Sequence, residues 1–319
     1  METPVEQLIN TQYQYKFTVF TATYNRAHTL GRLYKSLKSQ TFRDFEWLIV
    51  DDGSMDKTSE VVEEWLKENI INIRYIYQKN SGKHIAFNKG VEVAKGKLFL
   101  NLDSDDYCVE NALETFNYHW DNIPIHQKEE FSGVTCLCQD ENGVVLGNTF
   151  SSDIIDSNAL EIRYKLKAKG EKWGFHKTDV LKKFPFPEIS NSSYCPESIV
   201  WSSISKIYKT RFINEPLRVY CKGEDQLTQN LSSLKKHTPG FVLWYKHILN
   251  TEISYLRYAP INFIHSSANY SRFSIHQRIS LLKQVEELNK NMGRLLWFIT
   301  IPLGYLLYFK DEFKLLQNK

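Results

Sequence analysis

An α/β fold, with a largely parallel sheet covered by helices on both faces, is the class that these 319 residues predict. Two observations carry it. Four short apolar runs alternate with segments of helical period, and a polar cluster follows each run. The alternation implies right-handed βαβ crossovers. Ligands of such sheets bind beyond the carboxyl ends of the strands, where these clusters fall.

Lys16 to Thr21 (KFTVFT) predicts the first buried strand, and TYNR follows it. Leu30, Leu33 and Leu37 then recur at helical spacing. Phe45 to Val50 (FEWLIV) is the second strand, stopped by DDGS at Asp51 to Ser54. Thr58 to Lys67 is helical, with Val61, Val62, Trp65 and Leu66 as its apolar face. Ile73 to Tyr77 is the third strand, followed by QKNSGKH. Ile85 to Ala94 is a third helix, and Lys95-Gly96 reads as its C-cap. Leu98 to Leu102 is the fourth strand, running into DSDD.

Beyond Tyr107 the pattern changes. Val109 to Trp120 predicts a helix, and Phe131 to Gln139 with Val144 to Phe150 a strand pair about a DENG turn. Lys172 to Pro187 predicts a short helix, Glu197 to Tyr208 an amphipathic one, and Phe212 to Tyr220 ends in a strand-like LRVY. From Phe241 onward the chain reads as mainly helical.

The fourth cluster is the most demanding. Asp103, Asp105 and Asp106 repel one another and call for a positive partner. Carboxylates grouped at a strand end suit a hard divalent cation, Mg2+ or Mn2+, whose open positions take substrate phosphates. An EF-hand is excluded, because Gly at the sixth loop position and Glu at the twelfth are both missing. A solvated acidic turn is the plain alternative. In IVDDGSMDKT, Asp51 or Asp52 can accept from a base N–H or a ribose hydroxyl, while Ser54 or Asp56 can cap the next helix. Neither GxGxxG after the first strand nor GxxxxGK[ST] occurs, which disfavours dinucleotide and P-loop sites.

Together TATYNR, SQTF, WLIVDDGSMDKT, NSGKHIAFNKGVEVAKGKLFLNLDSDD and PESIVW resemble the family 2 glycosyltransferases, in family order over roughly Phe17 to Tyr220. The resemblance implies a GT-A type, Rossmann-like mixed sheet with helices on both faces, plus a mainly helical C-terminal extension. The implied division is residues 1–230 for the catalytic domain and 231–319 for the extension. It implies an inverting transferase that uses a nucleotide-diphospho-sugar, most often UDP-linked, and Mn2+ or Mg2+. Carried over by position, Thr23, Tyr24, Arg26, Asp51 and Asp52 line the nucleoside pocket. Lys83, Asn88, Asp103, Ser104 and Asp105 contact the donor, and Asp105 or Asp106 binds the metal. Glu197, in CPESIVW, matches the general base, although Pro-Glu-Ser stands where many members have Glu-Asp; a helix-start carboxylate is the alternative. Trp173, Phe175, His176 and Trp201 are candidates for the acceptor side, each with a core role as its alternative.

Such a site would move a sugar to a hydroxyl of a glycan or lipid-linked acceptor, in cell-surface polysaccharide synthesis. The rivals are a metal-dependent nucleotidyltransferase, for which TATYNRAHTLGR is a poor phosphate loop, and a non-catalytic nucleotide-sugar binder. Net charge is +3 and predicts no nucleic-acid partner. The basic surplus lies in the last quarter, with 10 Lys+Arg against 5 Asp+Glu from Phe241 to Lys319. There Leu281, Leu282, Val285 and Leu288 share a helical face. Leu295 to Phe309 follows, 15 apolar or small residues between Arg294 and Lys310. That run is short of the roughly 20 residues of a spanning helix. Pro302 and Gly304 interrupt it, and Trp297, Tyr305 and Tyr308 suit an interface. A contact with the inner face of a membrane is the expectation, with packing on the catalytic domain or in a homodimer as the alternatives. The N-terminus lacks a signal-peptide pattern. Five cysteines, an odd number, suit neither zinc nor a disulfide framework, so a cytoplasmic setting is expected.

Overall fold

The computed structural model describes residues 13–189, 194–221 and 231–317. The first twelve residues, read above for a leader, lie outside these, and the expected junction at 230 borders an undescribed stretch. Four parallel strands form one half of a nine-stranded sheet: β1 (Tyr15–Thr23), β2 (Phe45–Asp51), β3 (Asn72–Tyr77) and β4 (Gly96–Asn101). Helices α1 (Ala27–Lys38), α2 (Thr58–Glu68) and α3 (Lys83–Val93) connect them. Their order is β3-β2-β1-β4, so the chain reverses direction across the sheet between β1 and β4. A reversal of that kind opens a crevice at the carboxyl edge.

Strand alternation divides the core between two faces. Phe17, Val19, Phe45, Trp47, Ile49, Leu98 and Leu100 meet Leu30, Leu33 and Leu37 of α1, Trp65 of α2, and Phe116 of α4 (Ala112–Asp121). On the other face Phe20, Leu48, Val50 and Phe99 meet Ala86, Phe87 and Val91 of α3. Glu46 interrupts the apolar run of β2 and is fully buried. Its carboxylate accepts from Thr18 Oγ1 at 2.7 Å, the Lys95 N–H at 2.7 Å and Arg74 at 2.8 Å. Buried charge is tolerated when paired and bonded in this way.

The second half of the sheet returns by non-local pairing. Its strands are β5 (Tyr107–Cys108), β6 (Phe131–Gln139), β7 (Ile154–Ser157), β8 (Lys172–Lys177) and β9 (Lys209–Val219). β8 runs antiparallel to β4 and to β6, β6 runs parallel to β9, and β5 and β7 flank β9 in antiparallel sense. Helices α5 (Ala159–Tyr164), α6 (Thr178–Lys183) and α7 (Ser198–Ser205) complete this half. The mixed α/β sheet is the expected fold class.

Lys172 to Pro187 holds the expected short helix, α6, preceded by strand β8, which pairs with both β4 and β6. Two local expectations need correction. Val144 to Phe150 forms no strand: the DENG turn closes with the Gly143 N–H donating to the Asp140 carbonyl, but only one bridge, Gln139 to Val145, follows. Gly96 is not a C-cap. It opens β4, where a Cβ would lie 2.1 Å from the Thr18 nitrogen.

The C-terminal helices α8 (Leu231–Thr251), α9 (Pro260–His276), α10 (Leu281–Glu286) and α11 (Asn291–Gln317) have their own core of Leu249, Phe263, Tyr270, Leu288 and Trp297. Leu160 and Tyr164 of α5 enter it, and the Tyr164 hydroxyl donates to buried Glu252 at 2.5 Å. α10 ends at Glu286, so Leu288 lies beyond it rather than on one helical face with Leu281, Leu282 and Val285; Leu281 and Leu282 are exposed and Leu288 is buried. α11 runs through Pro302 and Gly304 without a break, so the expected interruption is also corrected. Gly304 is where α9 comes closest: a Cβ there would sit 2.6 Å from that of Ser271.

Replacing Gly96 with Ala should drive that methyl into the β1 backbone. Stability should fall by about 2 kcal/mol or more, measured as a lower urea midpoint with an unchanged m-value.

Candidate active site

The carboxyl edge of β1 to β4 is assembled by loops that bind one another. Asn25, at φ 53°, donates its N–H to Ser54 Oγ at 2.8 Å and accepts from the Met55 N–H at 2.8 Å. Asp56 accepts from the Ala27 and Thr58 N–H groups at 3.0 Å each and so ties the starts of α1 and α2. Thr23 lies at the end of β1 with a buried hydroxyl that has no partner. Tyr24 follows, 45% exposed, and Arg26 begins α1.

Asp51 and Asp52 serve the scaffold. They are 1% and 4% exposed. Asp51 accepts from the Ser54 N–H at 2.7 Å and the Tyr75 hydroxyl at 2.6 Å. Burial and this bond push the Tyr75 hydroxyl well above its usual range. Asp52 accepts from Gln78 Nε2 at 2.7 Å and from the Ser81 and Gly82 N–H groups at 2.8 Å each. Asp51 and Asp52, expected at the nucleoside, hold the loop that starts α3 through these bonds. That loop ends at Lys83.

Lys83 reaches Asp103 at 2.7 Å and Glu197 at 2.8 Å. Burial alone would lower its pKa, but the two carboxylates outweigh that and hold it well above the usual lysine range. Glu197 sits at the N-terminus of α7, 42% exposed at its side chain. Asn88 does not face this cluster. Its amide pairs with Phe186 on both sides, donating to the carbonyl at 2.8 Å and accepting from the N–H at 2.9 Å. Asn88, expected at the donor, thus ties α3 to the chain after α6.

The positive partner of the acidic cluster is Arg218, near the end of β9. Its Nη2 donates to Asp103 at 2.7 Å, and its Nε donates to Asp106 at 2.7 Å. The second Asp106 oxygen accepts from the Cys221 N–H at 2.9 Å. Asp106 is 1% exposed, and both of its oxygens accept internal hydrogen bonds, which leaves Asp105 as the more accessible of the two expected metal ligands. Against the cost of burial, Lys83 and Arg218 hold the Asp103 carboxyl well below the usual carboxylate range. Backbone carbonyls fix the turn from the other side: Thr29 Oγ1 donates to Ser104 O at 2.8 Å, and Arg32 donates to Asp105 O. The Asp105 carboxylate is half-buried and, among the described residues, without a partner.

No group of three His, Cys, Asp or Glu that could cage a metal occurs among the described residues. A lone free carboxylate still fits Mg2+ or Mn2+, which bind through one or two carboxylates plus substrate phosphates. Sequence reasoning missed Arg218, together with Thr29 and Arg32. The one available signal was an arginine within the apolar LRVY, which demands a buried acid.

The aromatic candidates divide. Trp173 and Phe175 are 3% and 0% exposed, and Trp173 donates its indole N–H to Asn101 O at 2.5 Å. Both belong to the core, which corrects their placement at the acceptor side. His176 stacks on Trp201 at 5.0 Å, and Trp201 packs edge-on against Phe87. Burial lowers the His176 pKa to about 4, and its Nδ1 has no partner. All five cysteines are free and buried.

Known proteins resemble this chain in sequence and in fold. The model of glycosyl transferase family 2 matches residues 18–125. A Campylobacter jejuni protein, GalNAc(5)-diNAcBac-PP-undecaprenol beta-1,3-glucosyltransferase, is 29% identical over 211 residues, 64% of this chain and 64% of that one. An uncharacterized glycosyltransferase of Nostoc is 26% identical over 212 residues, 63% of this chain and 61% of its own length. The chain thus spans less than two thirds of these curated relatives. The crystal structure of S. aureus TarS 1–349 superposes with a TM-score of 0.60 at 19% identity, covering 95% of this chain and 92% of that one. At that identity the likeness establishes the GT-A fold.

Two outcomes test this geometry. Replacing Arg218 with Met should cost about 3–5 kcal/mol, because it leaves the buried Asp106 carboxylate without its cation. In the wild type, the contribution of Asp103 is present above about pH 4 and lost as pH falls below it; the Met variant, in which Lys83 still pairs with Asp103, should show a smaller loss on acid unfolding. His176 has the same sign in a higher window. It contributes fully above about pH 6.5, and the contribution is lost as pH falls toward 4. His176→Phe keeps the stack on Trp201 and should melt with a flatter dependence between pH 7 and 5. His247, also lowered to about 4, leaves some slope in place.

Proposed function

Because the model of glycosyl transferase family 2 matches residues 18–125, we propose that this chain moves a sugar from a nucleotide-diphospho-sugar to a hydroxyl of a glycan or lipid-linked acceptor. The observation that carries the proposal is Lys83, which links the candidate base Glu197 to Asp103 at the crevice between β1 and β4. The donor is taken to be UDP-linked. S. aureus TarS has been crystallised with UDP and with UDP-GlcNAc, and that complex superposes with a TM-score of 0.56. The acceptor class follows the undecaprenol-linked substrate in the name of the C. jejuni relative and points to cell-surface glycan synthesis at the cytoplasmic face of a membrane.

The proposed chemistry is a single inverting displacement. Exposed Tyr24 offers a ring to the base, while Thr23 brings an unsatisfied hydroxyl to the same pocket. Lys83 is an ammonium held where a diphosphate would lie, and it opposes charge that builds on the leaving nucleotide. Asp105 would hold Mn2+ or Mg2+, which supplies Lewis-acid stabilisation of that leaving group. Glu197 takes the proton of the acceptor hydroxyl as the new bond forms. As the sugar carbon gains oxocarbenium character, the first bond breaks and the configuration inverts. Movement of Lys83 toward the diphosphate would free Glu197 for this task, so the same contact that restrains the base without donor releases it with donor.

The test is UDP release across a panel of UDP-sugars with Mn2+ or Mg2+. Glu197→Gln should lower kcat by about 10²–10⁴-fold. Asp105→Asn should abolish metal-dependent turnover without moving the melting temperature, whereas Asp106→Asn should lower the melting temperature. Donor binding with no turnover, unaffected by Glu197→Gln, would instead make the protein a nucleotide-sugar binder. Full activity in EDTA would assign leaving-group stabilisation to Lys83 alone.

A further inference from the structure

α11 is arranged inside out for a helix in water. Met292, Leu295, Phe298, Ile299, Leu306, Phe309 and Phe313 are all between 51% and 70% exposed. The steps 295, 298, 302, 306, 309 and 313 are three or four residues apart, which places them on one face. The opposite face holds the small and polar groups. Thr300 donates to Ser267 at 2.8 Å, Gly304 lies against Ser271, and Trp297 donates to Gln284 at 3.1 Å. Asp311, 4% exposed, is bound by Arg272 and His276 of α9.

We propose that this face lies flat on an anionic bilayer surface, with the helix axis in the plane of the membrane. Composition alone would let residues 291–314 cross, and only 28% of that window is buried. Crossing, however, would strip Thr300, Trp297 and Asp311 of their partners. α9 cannot accompany it, because Ser266, Ser267, Asn269, Ser271 and Ser274 line its packed side. An in-plane helix about 36 Å long keeps every one of these bonds.

The charges choose the occupant. Lys290, Arg294, Lys310 and Lys314 are exposed along the flanks and at the ends of the apolar stripe. The only acids of α11, Asp311 and Glu312, turn toward His276. In a second copy laid on this face, antiparallel or parallel, cations would meet cations. Lipid phosphates between the basic side chains satisfy them while the acyl region takes the apolar stripe. The expected aromatic anchor Trp297 has no part in this, since it is 4% exposed and packed inward.

This inference stands apart from the transferase reading, because binding to vesicles needs no donor or acceptor. The test is co-flotation of the full chain with phosphatidylcholine vesicles, with and without phosphatidylglycerol. The wild type should float with the anionic vesicles and much less with phosphatidylcholine alone. Lys310→Ala with Lys314→Ala should weaken partition about tenfold or more. Leu306→Glu with Phe309→Glu should abolish it without changing the melting temperature, since both side chains are exposed. An alkaline carbonate wash should release the bound protein; retention would mean a crossing helix and overturn the in-plane placement. Equal flotation by the double Glu variant would overturn the proposal. So would a wild-type dimer in light scattering that this variant converts to monomer while neither form floats.

Discussion

One guanidinium holds the carboxyl edge together. Arg218 spans Asp103 and Asp106, and it brings β9, the last strand along the described chain, to the turn that ends β4. Two carboxylates at a strand end cannot both be ionised and buried without such a partner. With Arg218 in place, Asp106 becomes a tether to Cys221 and Asp103 becomes a bridge to Lys83. Of the three, only the Asp105 carboxylate has no partner among the described residues. The division of labour within the acidic turn is thus set by a residue more than one hundred positions away, not by the turn itself.

The same logic governs the second motif. Asp51 and Asp52 look like ligand contacts in the sequence because they follow a strand at the edge where ligands bind. Their oxygens are consumed by Tyr75, Ser54, Gln78, Ser81 and Gly82. Through these bonds they position the start of α3 and therefore Lys83.

What was legible in the sequence was local. The first four strands and three helices follow from apolar runs and helical periodicity, because a buried parallel strand needs little beyond its own residues to be recognised. The return half was legible only in fragments. Trp173 and Phe175 in β8 alternate like any half-buried strand, but their neighbours β4 and β6 are some seventy and forty residues away in sequence. Reading them as sugar-stacking aromatics was reasonable by type and wrong by burial. Arg218 and Asn88 show the same limit from opposite sides: one is essential and unmarked, the other motif-borne and structural. Such roles depend on pairing that no local window contains.

Glu46 adds a consequence for how the protein opens. Its bonds come from Thr18 on β1, Arg74 on β3 and the Lys95 amide just before β4, so they link the three strands around β2. None can be released without exposing an uncompensated charge in the interior. The four parallel strands should therefore exchange their amide hydrogens as a single cooperative unit, with no separate fraying of the β3 edge. The loops at the opposite end of those strands inherit that cooperativity, so local breathing there is confined to the side chains that meet a ligand.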